Sequence, residues 1–284
     1  MSYLEKHIAL VCNPTYENYK SLVLTESIAL LLRGMDIRHS IFTEVWPQTW
    51  NGITEAWIIG GDGTINYFIN QYPGLQLPLS VFAGGSGNDF HWMIYGNIST
   101  EQQVELVLDA SPRFVDGGVC NGKLFLNGVG IGFDGAIVKD LLGRKKLAGK
   151  ATYLLSIMKH ILAYHEKPSR IEMEGEVISQ DCFMISAANA KRYGGGFNVA
   201  PNASITDGLL DLAIIGKISP IKRMRYLPVI EKGEHLGLDF LQYRHVNQVT
   251  ITSPVQLHSH IDGEYLQDNM FDIEILPKRF SFLF

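Results

Sequence analysis

The run Ala56-Trp57-Ile58-Ile59-Gly60-Gly61-Asp62-Gly63-Thr64-Ile65-Asn66-Tyr67-Phe68-Ile69 decides how the 284-residue chain is organised. Its first four residues read as a buried strand, the glycines as a turn, and the segment from Ile65 as a helix. A strand that enters a glycine turn and then a helix builds an anion site. The glycines admit a phosphate close to the backbone, and the free N–H groups at the helix start point towards it. Asp62 sits awkwardly there, because a carboxylate beside a negative ligand needs a cation, a donor cluster or a proton to compensate it. A phosphate loop with its own acid points to metal-assisted phosphoryl transfer. The plainer alternative is a tight turn with Asp62 as helix N-cap.

Outward from this stretch, His7 to Val11 reads as a strand that Cys12-Asn13-Pro14 ends, and Tyr16 to Arg33 as a helix stopped by Gly34. Ile37 to Thr43 reads as a second strand and Leu77 to Phe82 as a fourth, with a second glycine loop after it, Gly84-Gly85-Ser86-Gly87-Asn88-Asp89. Ser99-Thr100-Glu101-Gln102 has capping-box spacing before an amphipathic helix. Alternating strands and helices on short connections predict a parallel sheet covered on both faces. After Ser111 the texture changes to short β-like runs: Arg113 to Asp116, Lys123 to Gly128, Ser169 to Glu174, Cys182 to Ala188, Leu209 to Ile215, Val246 to Ile251 and Val255 to Ile261. Helical stretches at Leu147 to His165 and around Pro220 to Lys232 interrupt them. The expected organisation is an α/β domain over 1–118, completed by the strands of 271–284, and a β-rich domain over 119–270. The Ala151 to Tyr164 segment is nearly all apolar and reads as a helix buried on the β-rich domain, with a lipid-contacting face as the alternative.

With 46% hydrophobic and 19% charged residues the chain can bury a large core, which excludes a disordered protein. A net charge of −5 provides no general attraction to nucleic acid or to an anionic membrane, so no nucleic-acid partner is expected. Arg144-Lys145-Lys146 with Lys150, and Lys222-Arg223 with Arg225, are local basic clusters that read as solvated helix faces. Cys12, Cys120 and Cys182 are odd in number and lack Cys-x-x-Cys spacing, which indicates neither a disulfide framework nor a zinc site. His258 and His260 share one face of a strand but have no third metal ligand in view, so packing is the plain reading for both. Without a leader-like start or a run of about 20 apolar residues, the expectation is a cytoplasmic protein, at most peripheral at the inner membrane surface.

The two glycine loops leave strands at one edge of the expected sheet, so Asp62 and Asp89 are expected to face one crevice. Asp116 and the Asp262-Gly263-Glu264 turn add further acids at strand ends. Carboxylates gathered at a phosphate site repel one another unless Mg²⁺ neutralises them, and one left outside the metal shell can serve as general base. Gly60-Gly61-Asp62-Gly63-Thr64, Gly85-Ser86-Gly87-Asn88-Asp89-Phe90, Asp207-Gly208-Leu209-Leu210-Asp211 and Asp262-Gly263-Glu264, in this order, resemble the diacylglycerol kinase catalytic family. The closer match is to the soluble bacterial lipid kinases, relatives of sphingosine kinases and NAD kinases.

That resemblance implies an α/β plus all-β architecture: an N-terminal three-layer α/β nucleotide-binding domain, a C-terminal β-sandwich substrate domain, and an active site in the cleft between them. It implies ATP and Mg²⁺ as cofactors, with Asn13, Thr43, Gly60, Gly61, Asp62, Gly63, Thr64, Asn66, Gly85, Ser86, Gly87 and Asn88 lining the nucleotide. Asp62, Asp89 and Asp116 would form an acidic network organising Mg²⁺, and Asp262 or Glu264 would be the base. A structural Mg²⁺ would sit on Asp207 with the carbonyls of Ser204 and Leu209. The implied partner is a lipid such as diacylglycerol, with room for peripheral membrane contact and for a homodimer. His91-Trp92 replaces a basic residue common in relatives, which puts headgroup or nucleotide contacts at that point in doubt. The competing functions are a soluble-substrate kinase of the NAD kinase type and a nucleotide-binding regulator without turnover.

Overall fold

The computed structural model describes residues 5–12, 19–142 and 149–284, with backbone only for 149–154. Its contacts divide the chain into two compact units, 1–115 with 278–284 and 116–277. The expected boundaries lay at 118/119 and 270/271.

Unit 1 carries β1 (His7–Cys12), α1 (Tyr19–Gly34), β2 (Arg38–Phe42), β3 (Glu55–Gly60), α2 (Asp62–Gln71), β4 (Leu79–Ala83), α3 (Asp89–Tyr95) and α4 (Thr100–Asp109). Its strands lie in the order β4-β3-β1-β2 and are all parallel. Ile8, Ala9, Leu10 and Val11 are all fully buried. Successive strand residues point to opposite faces, so both faces of this sheet are covered, as the near-continuous apolar runs require. One core joins Ile8, Leu10, Trp57 and Ile59 of the sheet with Ile28 and Leu32 of α1 and Val104 and Val107 of α4. The capping box of α4 is formed as expected: Ser99 Oγ accepts the Gln102 N–H and Gln102 Oε1 accepts the Ser99 N–H.

Strand β5 (Pro112–Cys120) leads into unit 2, which continues with β6 (Lys123–Phe125), β7 (Gly128–Gly132), α5 (Phe133–Leu141), α6 (Gly149–Ala163), β8 (Lys167–Met173), β9 (Glu176–Cys182), β10 (Met184–Ala188), β11 (Leu210–Ile215), α7 (Pro220–Lys232), β12 (Leu241–Val246), β13 (Gln248–Ile261) and β14 (Glu264–Leu283). An antiparallel path runs β12-β11-β10-β7-β13-β14, and a β8–β9 hairpin pairs with the first part of β13. A register shift between Thr252 and Leu257 lets β13 pair with β8 before it and with β7 after it. One core fills the sandwich around Phe125, Ile131, Leu212, Ile251 and Phe271. A second lies where α5, α6 and α7 cover the outer sheet face, around Phe133, Ile157, Ile161 and Phe183.

Three expectations need correction. Phe271 to Leu276 and Phe280 to Phe284 are one strand, β14, which continues through Lys278 with its φ of +55° and ends with Phe282 beside Leu79 of β4. Val255 to Ile261 likewise continues the preceding run as β13. The apolar helix is buried on one side only: Ile157 and Ile161 are covered, whereas Leu155 is 70% and Leu162 61% exposed. The basic run Arg144-Lys145-Lys146 lies outside the described residues.

Candidate active site

The parallel strands of unit 1 end at Cys12, Phe42, Gly60 and Ala83. The segments after them therefore leave by the carboxyl edge of the sheet, the edge at which open α/β sheets bind ligands. Thr43 follows β2 there and is half-buried. Asn13, expected to follow β1, lies outside the described residues. The loops after β3 and β4 touch each other. Asp62 N–H donates to the Gly87 carbonyl at 3.2 Å, and Gly84 N–H to the Gly60 carbonyl at 2.9 Å. A Cβ on Gly61 would lie 2.5 Å from the Gly87 carbonyl oxygen, and one on Gly85 would lie 2.4 Å from Gly61 Cα. Both glycines are thus demanded by backbone packing of loop against loop, a reason that phosphate approach alone does not include. Asn88 closes the second loop on itself, accepting from Gly85 N–H at 3.1 Å and donating to the Gly85 carbonyl at 3.0 Å. Ser86 and Gly63 are exposed. Thr64 and Asn66 are buried, Thr64 directly over Gly60.

Asp62 bridges the two loops. Its Oδ2 accepts the Asp89 N–H at 3.0 Å and its Oδ1 the Phe90 N–H at 2.9 Å. The carboxylate therefore caps α3, the helix of the other loop, while α2 has Gly61 as its N-cap and no side-chain cap. These two donors supply compensation that an acid needs in a loop suited to anions. Asp89 is buried at the start of α3, and its connection to Asp62 runs through its backbone N–H. His91, flagged as the replacement for a cation, is buried and hydrogen-bonded through Nε2 to Gln103 Oε1 at 3.0 Å, while Gln103 donates to the Val81 carbonyl. It ties α3 to α4 and the sheet.

Asp116 belongs to unit 2. Its N–H donates to the Ile205 carbonyl at 2.7 Å, and its Oδ2 accepts the Gly208 N–H at 2.8 Å. The loop that holds it contains Ser204, Asp207 and Leu209. Asp207 is exposed, and its Oδ1 accepts the Leu209 N–H at 3.1 Å. Among the described residues no three His, Cys, Asp or Glu side chains cluster so as to hold a metal. An exposed carboxylate with nearby main-chain carbonyls is nevertheless the hard-oxygen donor type that Mg²⁺ takes together with several waters. The donor set fits Mg²⁺ in chemistry, and main-chain carbonyls and water would have to complete the shell.

Asp262 adopts a left-handed φ of +48° and is 6% exposed. Its Oδ2 accepts the Leu126 N–H at 2.8 Å, and its Oδ1 accepts those of Asn127 and Gly128 at 2.9 Å each. A carboxylate with three backbone donors anchors the 126–128 loop. Glu264, by contrast, is exposed at the start of β14. Asn189 joins the two acidic regions of unit 2: fully buried, it donates through Nδ2 to the Asp116 carbonyl at 3.2 Å and to the Leu126 carbonyl at 2.7 Å. Ala188-Asn189-Ala190 matches no motif. The available signal was an amide directly after a mostly apolar strand, where an unpartnered polar group would be costly.

A parallel α/β unit with interlocked glycine loops, followed by a β-sandwich unit with acids at its turns, defines the class as an α/β plus β-sandwich protein with a candidate anion site. Residues 42–120 match the diacylglycerol kinase catalytic domain, and residues 127–284 match the YegS C-terminal NAD kinase beta sandwich-like domain. A diacylglycerol kinase of Mycobacterium tuberculosis is 28% identical over 251 residues, covering 85% of this chain and 79% of its own. A YegS-like lipid kinase of Chromohalobacter salexigens is 28% identical over 233 residues, 80% of this chain and 74% of its own. In fold, the crystal structure of a diacylglycerol kinase from Bacillus anthracis superposes with a TM-score of 0.71 at 19% identity, covering all of this chain and 98% of the other. The chain belongs to the diacylglycerol kinase catalytic family of lipid kinases.

Proposed function

We propose that this chain transfers the γ-phosphate of ATP to the hydroxyl of a lipid such as diacylglycerol. The observation that carries the reading is the interlocked pair of glycine loops in unit 1, closed by Asp62 at the carboxyl edge of the sheet. Exposed Gly63 on the first turn of α2 and exposed Ser86 on the second loop offer an N–H group and a hydroxyl to phosphate oxygens. There is no Walker-type lysine in either loop. An Mg²⁺ organised by Asp62 would neutralise phosphate charge, and a second, structural Mg²⁺ would be held by Asp207 with the Ser204 and Leu209 carbonyls.

For the acceptor hydroxyl, unit 2 offers two acids in different circumstances. Asp262 is committed to three backbone donors, so its part is to hold the turn that presents its neighbour. Glu264 is exposed and is assigned the proton of the lipid hydroxyl. Because phosphoryl transfer passes through a loose transition state, positioning is the larger contribution and the base the smaller one. Glu264→Gln is therefore expected to lower kcat by about 10²-fold while leaving Tm unchanged. Asp262→Asn should lower kcat at least as far and loosen the 126–128 amides in hydrogen exchange. A kcat of Glu264→Gln within about twofold of wild type removes that assignment. Nucleotide use is tested by thermal unfolding: ATP with Mg²⁺ should raise Tm and Asp62→Asn should abolish the rise, and no rise in the wild type contradicts the ATP reading.

Peripheral membrane contact belongs to the same proposal. No helix among the described residues is long and apolar enough to cross a membrane. Adjacent α6 and α7 expose Leu155, Leu162, Ile221 and Met224 on their outer faces, with Lys222 and Arg225 of α7 beside them, an apolar strip with a basic edge that suits an anionic lipid surface.

A further inference from the structure

Glu264 follows a two-residue hairpin turn between β13 and β14. Ile261 pairs with Glu264 across it, and the two central residues, Asp262 and Gly263, have φ of +48° and +86°. Positive φ at both is what a type I′ turn requires, and Asp-Gly is a pair that adopts it readily. The first half of the turn is tied to the rest of unit 2: Asp262 gives its carboxylate to the 126–128 amides and its N–H to the Gly128 carbonyl at 3.0 Å. The second half leads into the exposed Glu264 and is held by another side chain. His260 Nδ1 accepts the Gly263 N–H at 3.2 Å, an N–H that lies inside the turn and outside the β13–β14 ladder.

His260 is in turn enclosed, at 3% exposure. An accepting Nδ1 leaves the proton of the neutral ring on Nε2. That nitrogen lies 3.5 Å from Oδ2 of Asp134, a buried acid in the first turn of α5. The separation is longer than a normal N–H···O bond, and Oδ2 has no hydrogen-bond partner among the described residues. The link is therefore electrostatic: in a buried setting a carboxylate favours the ring tautomer that turns N–H towards it over the one that turns a lone pair towards it. Tyr193 packs edge-on to the ring at 5.1 Å and is itself anchored by its hydroxyl on Ser186 Oγ at 2.8 Å. Gly130 makes room for the pair, since a Cβ there would lie 2.5 Å from His260 Nε2 and 2.6 Å from Asp134 Oδ2. Gly135 lets α5 rest on β13 so closely that a Cβ would overlap the Ser259 backbone.

We infer that His260 is a positioning residue for the phosphoryl transfer, acting on Glu264 through the Gly263 N–H, and that Asp134 sets the tautomer in which it can do so. The inference rests on the lipid-kinase reading above and on Glu264 as the group that takes the acceptor proton. The peptide between Asp262 and Gly263 is the hinge by which the Glu264 backbone could swing. With its N–H on Nδ1 that peptide is fixed, and the carboxylate of Glu264 is presented in one direction. With the N–H released, the turn keeps its Asp262 anchor but the carboxylate samples directions away from the hydroxyl, a loss of orientation that is felt in the chemical step. If Asp134 did not hold the proton on Nε2, the ring could place it on Nδ1, where it would face the Gly263 N–H donor to donor and break the bond.

The test combines steady-state kinetics of the full chain on ATP, Mg²⁺ and diacylglycerol in mixed micelles with amide hydrogen exchange at Gly263. Asparagine places an acceptor where Nδ1 lies, whereas glutamine reaches the position of Nε2. His260→Gln should therefore lower kcat about tenfold and speed exchange at Gly263, with both KM values within about twofold and Tm within a few degrees. His260→Asn should recover kcat to within about threefold of wild type. The loss should vanish where Glu264 is already missing: in Glu264→Gln, adding His260→Gln should cost less than about twofold in kcat. Asp134→Asn should lower kcat about threefold alone and add nothing in His260→Gln. Equal losses in His260→Gln and His260→Asn, or an undiminished loss in the Glu264→Gln background, overturn the inference while leaving the lipid-kinase reading in place. If His260→Gln does not fold, Asp134→Asn alone and in Glu264→Gln makes the same comparison. A wild-type chain that phosphorylates no lipid overturns that reading, and the inference falls with it.

Discussion

At Asp62 an acid survives in an anion loop because two N–H groups of α3 compensate it. An asparagine in its place keeps one acceptor and turns an NH₂ towards a backbone N–H. Asp62→Asn is expected to cost about 1–3 kcal/mol of stability, read by urea unfolding, and to raise hydrogen exchange at residues 89 and 90. The glycines make an independent prediction. Gly61→Ala and Gly85→Ala force atoms into the facing loop and should each destabilise by about 1–3 kcal/mol or more. Gly74→Ala meets nothing within 4 Å and should be neutral. Equal stability of Gly61→Ala and Gly74→Ala would show that the loops do not interlock as described.

Helix α7 is pinned through one side chain. Arg223, 4% exposed at its side chain, donates to the carbonyls of Ile161, Tyr164 and Ile218, pairs with Glu166 at 2.7 Å, and lies 4.4 Å over the Phe183 ring. It thereby satisfies carbonyls at the end of α6 that the helix itself leaves open. Burial would raise the Glu166 carboxyl, but hydrogen bonds from the Glu166 and Ile218 N–H groups and from Arg223, with the Arg223 charge, outweigh burial and leave it below the usual value. A lowered folded-state value means stability that is present above the unfolded carboxyl range and lost as pH falls through the folded value. Glu166→Gln should cost about 3 kcal/mol near pH 7, and the gap to wild type should narrow as the pH is taken below about 4; a gap independent of pH would contradict the ion-pair account. Ser99→Ala, by contrast, removes only the exposed cap of α4 and should cost about 1 kcal/mol at any pH.

The same elements show what could be read in advance. In the β1-to-α4 stretch, β1 and β3 were legible as near-continuous apolar runs, α1 by its periodicity up to Gly34 and α4 by its capping box, whereas α3 directly after the second glycine loop was not anticipated. Helix α5 was not, since Phe133-Asp134-Gly135 looks like a turn and Gly135 is required only because the helix rests on β13. Strands β7 and β9 were missed for related reasons: Gly128-Val129-Gly130-Ile131-Gly132 is glycine-rich for close packing, and Glu176 to Cys182 alternates as an exposed hairpin arm. The acids were legible as a set through their motifs. Their duties were not, because the N–H donors that hold Asp62, Asp116 and Asp262 come from residues 27 to 136 positions away. Asn189 and the Asp134–His260 pair depend on contacts of the same long range and announce themselves in no motif.

For the whole molecule, both family matches and the interlocked loops converge on one activity. The most direct measurement incubates the full chain with Mg²⁺, γ-³²P-labelled ATP and a panel of diacylglycerol, phosphatidylglycerol, a sphingoid base and NAD, and separates organic-phase from aqueous products. The account predicts label in a phosphorylated lipid, lost in Asp62→Asn. Label found only in a water-soluble product, or none with every acceptor, would contradict it.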